Sequence, residues 1–332
     1  MGLWHKYASV AYLAVFFGVI GHASSEFVSV LSGMAGPELS VWRFLLGGTG
    51  LVIVALIFPA TRNLIEPFKT DGLRLVWLSL LGITTGYLIF HWSLDFATVP
   101  QVATIVTTAP IFVGLLNLWL NKQPFTSAKL ISGICALLGV ALLITDGYLA
   151  RLAGAGQNFI GVLMAMGCAT LVAMYTVVVR PIIATYGALR ITAITMFMGA
   201  AGLWLVVGIF WNIWVNPATL FNRPGQELAS LLTIGFYNTT LTQFLWIGGL
   251  AAVPDITRGM YLFFLKPVMA AFLAVLILNQ PITTWQVLAI FIICASVAVE
   301  PIWTKFHNSR SLVQSSQFRV EEKDKIEDPE SS

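Results

Sequence analysis

Charge is scarce in this chain of 332 residues: 10% are Asp, Glu, Lys or Arg, while 58% are hydrophobic. Soluble domains typically carry about 25% charged and 45–50% apolar residues, so a water-surrounded globule is excluded. The 18 basic and 15 acidic residues leave a net charge of +3, too small and too dispersed for a nucleic-acid footprint. The three cysteines, Cys135, Cys168 and Cys294, each lie inside an apolar run without CxxC or Cys/His spacing. Neither a disulfide framework nor a metal site is expected from them, and apolar filling is the role they suit. HExxH, GxSxG, paired intramembrane aspartates, GxGxxG and GxxxxGK[ST] are all missing. A zinc protease, serine hydrolase, aspartyl protease or nucleotide-driven pump therefore lacks its minimum parts, and the chain reads as a non-enzyme without cofactor or metal.

What the sequence does hold is apolar length. A helix needs about 20 apolar residues to cross a bilayer, and ten stretches qualify, at 9–31, 39–58, 74–93, 101–120, 129–146, 158–180, 190–214, 229–250, 258–278 and 284–303. The 28 glycines and 11 tryptophans suit close helix packing and interfacial anchoring. Gly36-Pro37, the stretch from Pro59 to Asp71, Asn121-Lys122-Gln123-Pro124, Gly154-Ala155-Gly156 and Asn222-Arg223-Pro224-Gly225 read as connections, with no room left for a soluble catalytic domain. From 305 to 332 the composition turns charged and polar, as in a disordered tail. The first stretch is longer than a signal-peptide core and lacks a small-residue cleavage pattern, so it reads as a retained helix.

Lys and Arg concentrate in the segments that share a side with the N-terminus, among them Lys6, Arg62, Lys69, Arg74, Lys122, Lys129, Arg180, Arg190 and Arg258. Arg43, Arg151 and Arg223 fall on the other side and Lys266 within a span. The positive-inside rule then places both termini in the cytoplasm, in a multi-pass protein of the cell (inner) membrane.

A repeat is visible as well. Residues 107–124 (TTAPIFVGLLNLWLNKQP) and 264–281 (FLKPVMAAFLAVLILNQP) share the spacing of Pro110 to Pro124 and Pro267 to Pro281, each second proline following a glutamine, Gln123 or Gln280. The repeated unit holds five spans, an odd number, so the second copy crosses the membrane in the opposite sense. The expected fold is thus all-α and integral to the membrane, with ten transmembrane helices as two inverted five-helix repeats at 8–147 and 157–304.

Residues Pro37 to Phe44 (PELSVWRF), Gly82 to Ala97 leading to Pro110, Gly133 to Gly147 (GICALLGVALLITDG) and the Lys266-Pro267 span resemble the drug/metabolite transporter superfamily, of the ten-helix EamA type. The resemblance covers roughly residues 8–304. It implies two five-helix repeats, alternating access and movement of small organic metabolites, often outward. Similar proteins commonly carry Glu where this chain has Gln123 and Gln280, and Glu before the proline of the ninth helix where it has Lys266. A mechanism that depends on those carboxylates does not carry over.

Polar groups inside the spans are the site candidates, since a charge there costs about 2.5–3.5 kcal/mol on insertion scales. Lys266 stands near the midplane, beside a proline that loosens its helix, and suits an anionic substrate group; an internal salt bridge or a side chain reaching for water is the bland alternative. Glu26 and Arg43 stand at similar depth and read as a structural ion pair. His22 and Glu26, four residues apart, also suit proton coupling. His91, four residues before Asp95 beside Trp92, reads as a cavity residue or an interfacial one, and Glu300 beside Pro301 as interfacial. Asn238 and Gln243, within the cluster 238–243, suit cavity lining, and Thr104, Thr107 and Thr108 either a cavity or helix contacts. Tyr87, Trp92, Tyr175 and Tyr261 suit an apolar substrate moiety or plain packing. The substrate-binding set is therefore Lys266, Asn238, Gln243, Thr108, His91 and Tyr261. The small-residue pair Gly82 and Gly86 suits either a homodimer or packing within the chain, which ten helices favour.

The expected function is export of a small carboxylate-bearing metabolite such as an amino acid by a secondary transporter. Import or exchange of an organic anion or phosphate ester, and a non-transporting receptor or scaffold, are the alternatives. The expected partners are the small-molecule substrate and the bilayer. The orientation predicts that green fluorescent protein fused to the C-terminus fluoresces in a bacterial host while alkaline phosphatase fused there is inactive; an active phosphatase would reverse the topology.

Overall fold

The computed structural model describes residues 7–34, 36–93, 96–97, 102, 105–147, 158–278, 282–298 and 302–303, and it is helical throughout with no strand among them. The elements are α1 (Ala8–Leu31), α2 (Gly36–Ile57), α3 (Glu66–Leu78, Ser79–Thr85 and Gly86–Ser93 end to end), α4 (Ala109–Asn121) and α5 (Ser127–Thr145). They are followed by α6 (Asn158–Tyr186), α7 (Ala188–Trp211), α8 (Gly225–Leu232, Thr233–Leu241 and Thr242–Ala252), α9 (Ile256–Tyr261, Leu262–Leu265 and Lys266–Leu278) and α10 (Thr284–Ala298).

Seven of these are long and apolar enough to cross a bilayer. Helices α4 and α10 are shorter, and parts of the spans expected at 101–120 and 284–303 lie outside the described residues. Helix α8 is long enough, but Asn238, Thr239, Thr240, Thr242 and Gln243 lower its hydropathy. The third helix begins earlier than the expected residue 74, at Glu66, because Glu66-Pro67 starts a polar first turn on which the span is stacked.

The packing has a twofold pattern. Helix α1 lies on α8 and α9, while α6 lies on α3 and α4; α2 packs on α8, while α7 packs on α3; and α2 and α7 pack on each other. Exchanging the first five helices for the last five leaves this set unchanged, as a pseudo-twofold axis in the membrane plane requires. Hydrogen bonds repeat the pattern: Thr84 Oγ1 of α3 donates to the Gly199 carbonyl of α7 at 2.8 Å, and Thr240 Oγ1 of α8 donates to the Gly47 carbonyl of α2 at 2.9 Å. Both threonines lie in π-helical segments, Ser79–Thr85 and Thr233–Leu241. The wider turn is accompanied by threonine hydroxyls that bond five residues back, Thr85 to Leu80, Thr239 to Ile234 and Thr242 to Tyr237.

Close approach at these crossings rests on missing side chains. A methyl group at Gly47 would overlap Thr239, and one at Gly199 would overlap Ile83. Gly82 and Gly86 face Tyr175, Leu171 and Val172 of α6, so this small-residue pair serves packing within the chain.

Ion pairs tie the two ends. Glu38, in the first turn of α2, meets Arg223 before α8 at 3.1 Å; Arg190, in the first turn of α7, meets Glu66 in the first turn of α3 at 2.6 Å. The pairs occupy equivalent places on opposite membrane faces, with the signs exchanged. Arg223 also meets Glu227 and lies 5.0 Å from the Trp42 ring, and Arg190 donates to the Ala60 carbonyl at 2.6 Å.

Gly47→Ala and Gly199→Ala should each lower stability by about 1–3 kcal/mol, the cost of overpacking. Gly225→Ala, whose methyl meets nothing within 4 Å, should leave it unchanged. Thermal unfolding in detergent checks this; equal midpoints for all three would refute the role of the crossings.

Candidate functional site

Polar side chains from both repeats gather where α1, α2, α3, α8 and α9 meet. Arg43 of α2 donates through Nε to Thr239 Oγ1 at 3.2 Å, and that hydroxyl donates in turn to the Ile234 carbonyl at 2.8 Å. Gln243 Nε2 donates to Tyr87 Oη at 3.2 Å, and the Tyr87 ring lies 4.2 Å from that of Phe44, which in turn lies 5.7 Å from the Arg43 guanidinium carbon. Asn238, fully buried, donates through Nδ2 to the Gly21 carbonyl and to Ser24 Oγ, both at 2.8 Å. Between Gly21 and Ser24 stands His22, packed edge-on against Trp246 at 5.6 Å and Phe263 at 6.1 Å. Lys266 Nζ lies 5.9 Å from the Phe263 ring.

The structure therefore brings together Lys266, Asn238, Gln243, His22, Arg43 and Tyr87 of the residues singled out by sequence, and adds Thr239 and Trp246. Of these Thr239 stood in the polar run 238–243, whereas Trp246 gave no signal beyond being aromatic. Tyr261 stands apart. It is buried against Phe264, its ring 5.5 Å away, and its hydroxyl donates to the Lys129 carbonyl, so it joins α9 to α5 rather than facing His22. Thr108 Oγ1 donates to the Ile105 carbonyl at 2.6 Å just before α4. The side chains of Glu26 and His91 lie outside the described residues, and with them the expected Glu26–Arg43 pair; so do Thr104, Asp95, Gln280 and Glu300. No group of three His, Cys, Asp or Glu suited to a metal occurs among the described residues.

On the membrane face that carries Glu66, the turn between α8 and α9 is pinned from two sides. Arg180 of α6 donates to the carbonyls of Ala251 and Val253. Lys129, buried in the first turn of α5, meets Asp255 at 2.5 Å. Asp255 also caps α9, accepting from the backbone N–H of Thr257 at 2.9 Å and of Arg258 at 3.2 Å. Gly114 of α4 lies against Thr257 and Phe125. Together these contacts tie α4, α5 and α6 to the turn between α8 and α9.

The sequence profile of the EamA-like transporter family matches twice, at residues 6–145 and 159–299. An uncharacterized transporter of Clostridium kluyveri is 22% identical over 296 residues, which is 88% of this chain and 91% of that protein. The uncharacterized transporter YyaM of Bacillus subtilis is 21% identical, with 88% of this chain and 93% of the relative aligned. A solved crystal structure superimposes with a TM-score of 0.75 at 19% identity, covering 90% of this chain and 98% of the other, which shows a shared fold.

Burial pushes the Asp255 carboxyl up, but the hydrogen bond and charge of Lys129, with the two capping N–H groups, outweigh it and hold the group below the usual carboxylate range. A carboxyl with a folded pKa below its unfolded value of about 4 stabilises the fold above that value, and the contribution is lost as pH falls through the folded value. Unfolding midpoints should therefore drop below pH 5 in the parent protein, and Asp255→Asn should flatten that part of the profile. An identical profile in Asp255→Asn would show that the Lys129 pair contributes nothing.

Proposed function

The chain belongs to the EamA-like transporter family, as an integral multi-pass membrane protein, and from that premise we propose that it is a secondary exporter of a small carboxylate-bearing metabolite working by alternating access. The observation that carries this reading is the polar group at Arg43, His22, Asn238, Gln243 and Lys266, drawn from both repeats and set among buried aromatic rings. Polar side chains in hydrocarbon are expensive unless they line a path or a binding place. Lys266 favours an anionic solute and is assigned its carboxylate.

The face holding Glu66, Arg190, Lys129 and Arg180 is assigned to the cytoplasm, in agreement with the bias of Lys and Arg. Both termini lie there in this reading, in the cell membrane. The end tied around Asp255 is then the inner end, and export carries the solute toward the Glu38 face. His22 and Glu26 are assigned the coupling proton, since an imidazole and a carboxylate one turn apart change charge together as access alternates. Lys266, beside the Phe263 ring that His22 packs on, also suits an organic anion or phosphate ester moved by exchange.

In sealed proteoliposomes Lys266→Gln should lose most flux of anionic solutes, at least tenfold, while retaining its yield in the membrane and its unfolding midpoint. Undiminished flux would make the lysine incidental. A pH gradient alone should change flux in the parent protein and leave Glu26→Gln unaffected; an unaltered response in Glu26→Gln would remove the carboxylate from coupling.

A further inference from the structure

The pseudo-twofold axis gives every central residue a mate, and the mates differ most in the polar group. Counting from Gly47 and Gly199, Arg43 corresponds to Thr195; counting from Thr84 and Thr240, Gly82 corresponds to Asn238 and Tyr87 to Gln243. In one half Gly82 is covered by the Tyr175 ring, whose hydroxyl is hydrogen bonded to Thr195 at 2.7 Å, so that corner is closed. In the other half the same corner holds Asn238.

Both N–H donors of Asn238 are spent on α1, which fixes the amide orientation and leaves only the oxygen to act. That oxygen, Oδ1, is buried and has no hydrogen-bond partner among the described residues, and the same holds for His22 Nε2 in the adjoining turn. A buried acceptor held in one orientation selects a donor, because the analogue without one leaves the acceptor unpaired. The donor's charge follows from the surroundings: Lys266 Nζ lies 5.9 Å from the Phe263 ring against which His22 packs, so an ammonium there meets a like charge, whereas a neutral hydroxyl does not.

We propose that Asn238 Oδ1 and His22 Nε2 form a subsite for a neutral hydroxyl on the transported anion, so that a hydroxy acid is preferred over both the deoxy acid and the amino acid of the same skeleton. The inference rests on the anion-transport reading above and names its substrate class. The anionic end lies toward Lys266 and the hydroxyl between α1 and the π-helical segment of α8.

The test is thermal stabilisation of the purified full-length protein by two matched sets, lactate, propionate and alanine, and malate, succinate and aspartate, with flux of the same compounds in proteoliposomes. In at least one set the hydroxy acid should act at a roughly tenfold lower concentration than its deoxy and amino counterparts. In thermal stabilisation Asn238→Ala should reduce that preference below about twofold. His22→Phe, which keeps a ring against Trp246 and Phe263 and removes the nitrogens, should lower the preference likewise in thermal stabilisation, a readout independent of proton coupling, and stands as the second variant if Asn238→Ala fails to fold. Equal responses to hydroxy and deoxy acids, or a preference that survives His22→Phe, would overturn the subsite and leave anion transport standing. Preference for the amino acid would overturn the neutral donor. Absence of any response or flux for all six would overturn the anion reading and the subsite with it.

Discussion

Two threonine hydroxyls, Thr84 and Thr240, each reach across to a glycine carbonyl of the opposite repeat, and the rest of the arrangement depends on how near the backbones must come for that. Such interhelical bonds average only about 0.6 kcal/mol in membranes, since the separated helices find other partners. The larger effect is geometric. Gly47 and Gly199 let α8 and α3 approach until dispersion contacts fill the crossing, and the π-helical segments turn Thr239 and Ile83 into the space thus opened. Without that approach Arg43 would not reach Thr239, nor Gln243 reach Tyr87.

The two membrane ends are secured by a second consequence of the same symmetry. Glu38 and Glu66 sit in the first turns of α2 and α3, where the helix dipole favours negative charge. Arg190 sits in the first turn of α7, where the dipole opposes it, so its pairing with Glu66 offsets an otherwise unfavourable placement. The sign exchange between the pairs follows from an axis that relates positions and not residue types. Beyond these pairs the ends differ: the Glu66 face adds the Lys129–Asp255 bridge and the Arg180 bonds to the α8–α9 turn.

The ten apolar stretches were legible because the bilayer imposes length on sequence, and the repeat because Pro110 and Pro267 mark the same turn of α4 and α9. The repeat through α2, α3, α7 and α8 was not. Its evidence is which backbone touches which, and Gly47-Gly48-Thr49-Gly50 and Gly199-Ala200-Ala201-Gly202 share too little to align by eye. The run from Asn238 to Gln243 announced itself by polarity, yet its partners did not: the expected Glu26 for Arg43 lies outside the described side chains, and nothing in the sequence pointed to Thr239, on a helix 196 positions away, as a contact of Arg43. Tyr261 shows the opposite error, an aromatic ring near Lys266 in sequence that faces α5 once its hydroxyl finds the Lys129 carbonyl.

An inverted repeat makes two end states from one set of packings, each half taking in one state the shape the other takes in the next. A perfectly symmetric centre would also hold two equivalent sites. Here the centre is uneven, with Arg43 opposite Thr195 and Asn238 opposite Gly82, so the polar side chains gather at one of the two corners. The Tyr87–Gln243 bond joins a residue to its own mate and therefore lies on the axis. Exchange of the two half-shapes returns an axial bond to itself, so in the alternating-access reading this contact persists while the ends open in turn, and the solute meets the same side chains from either face.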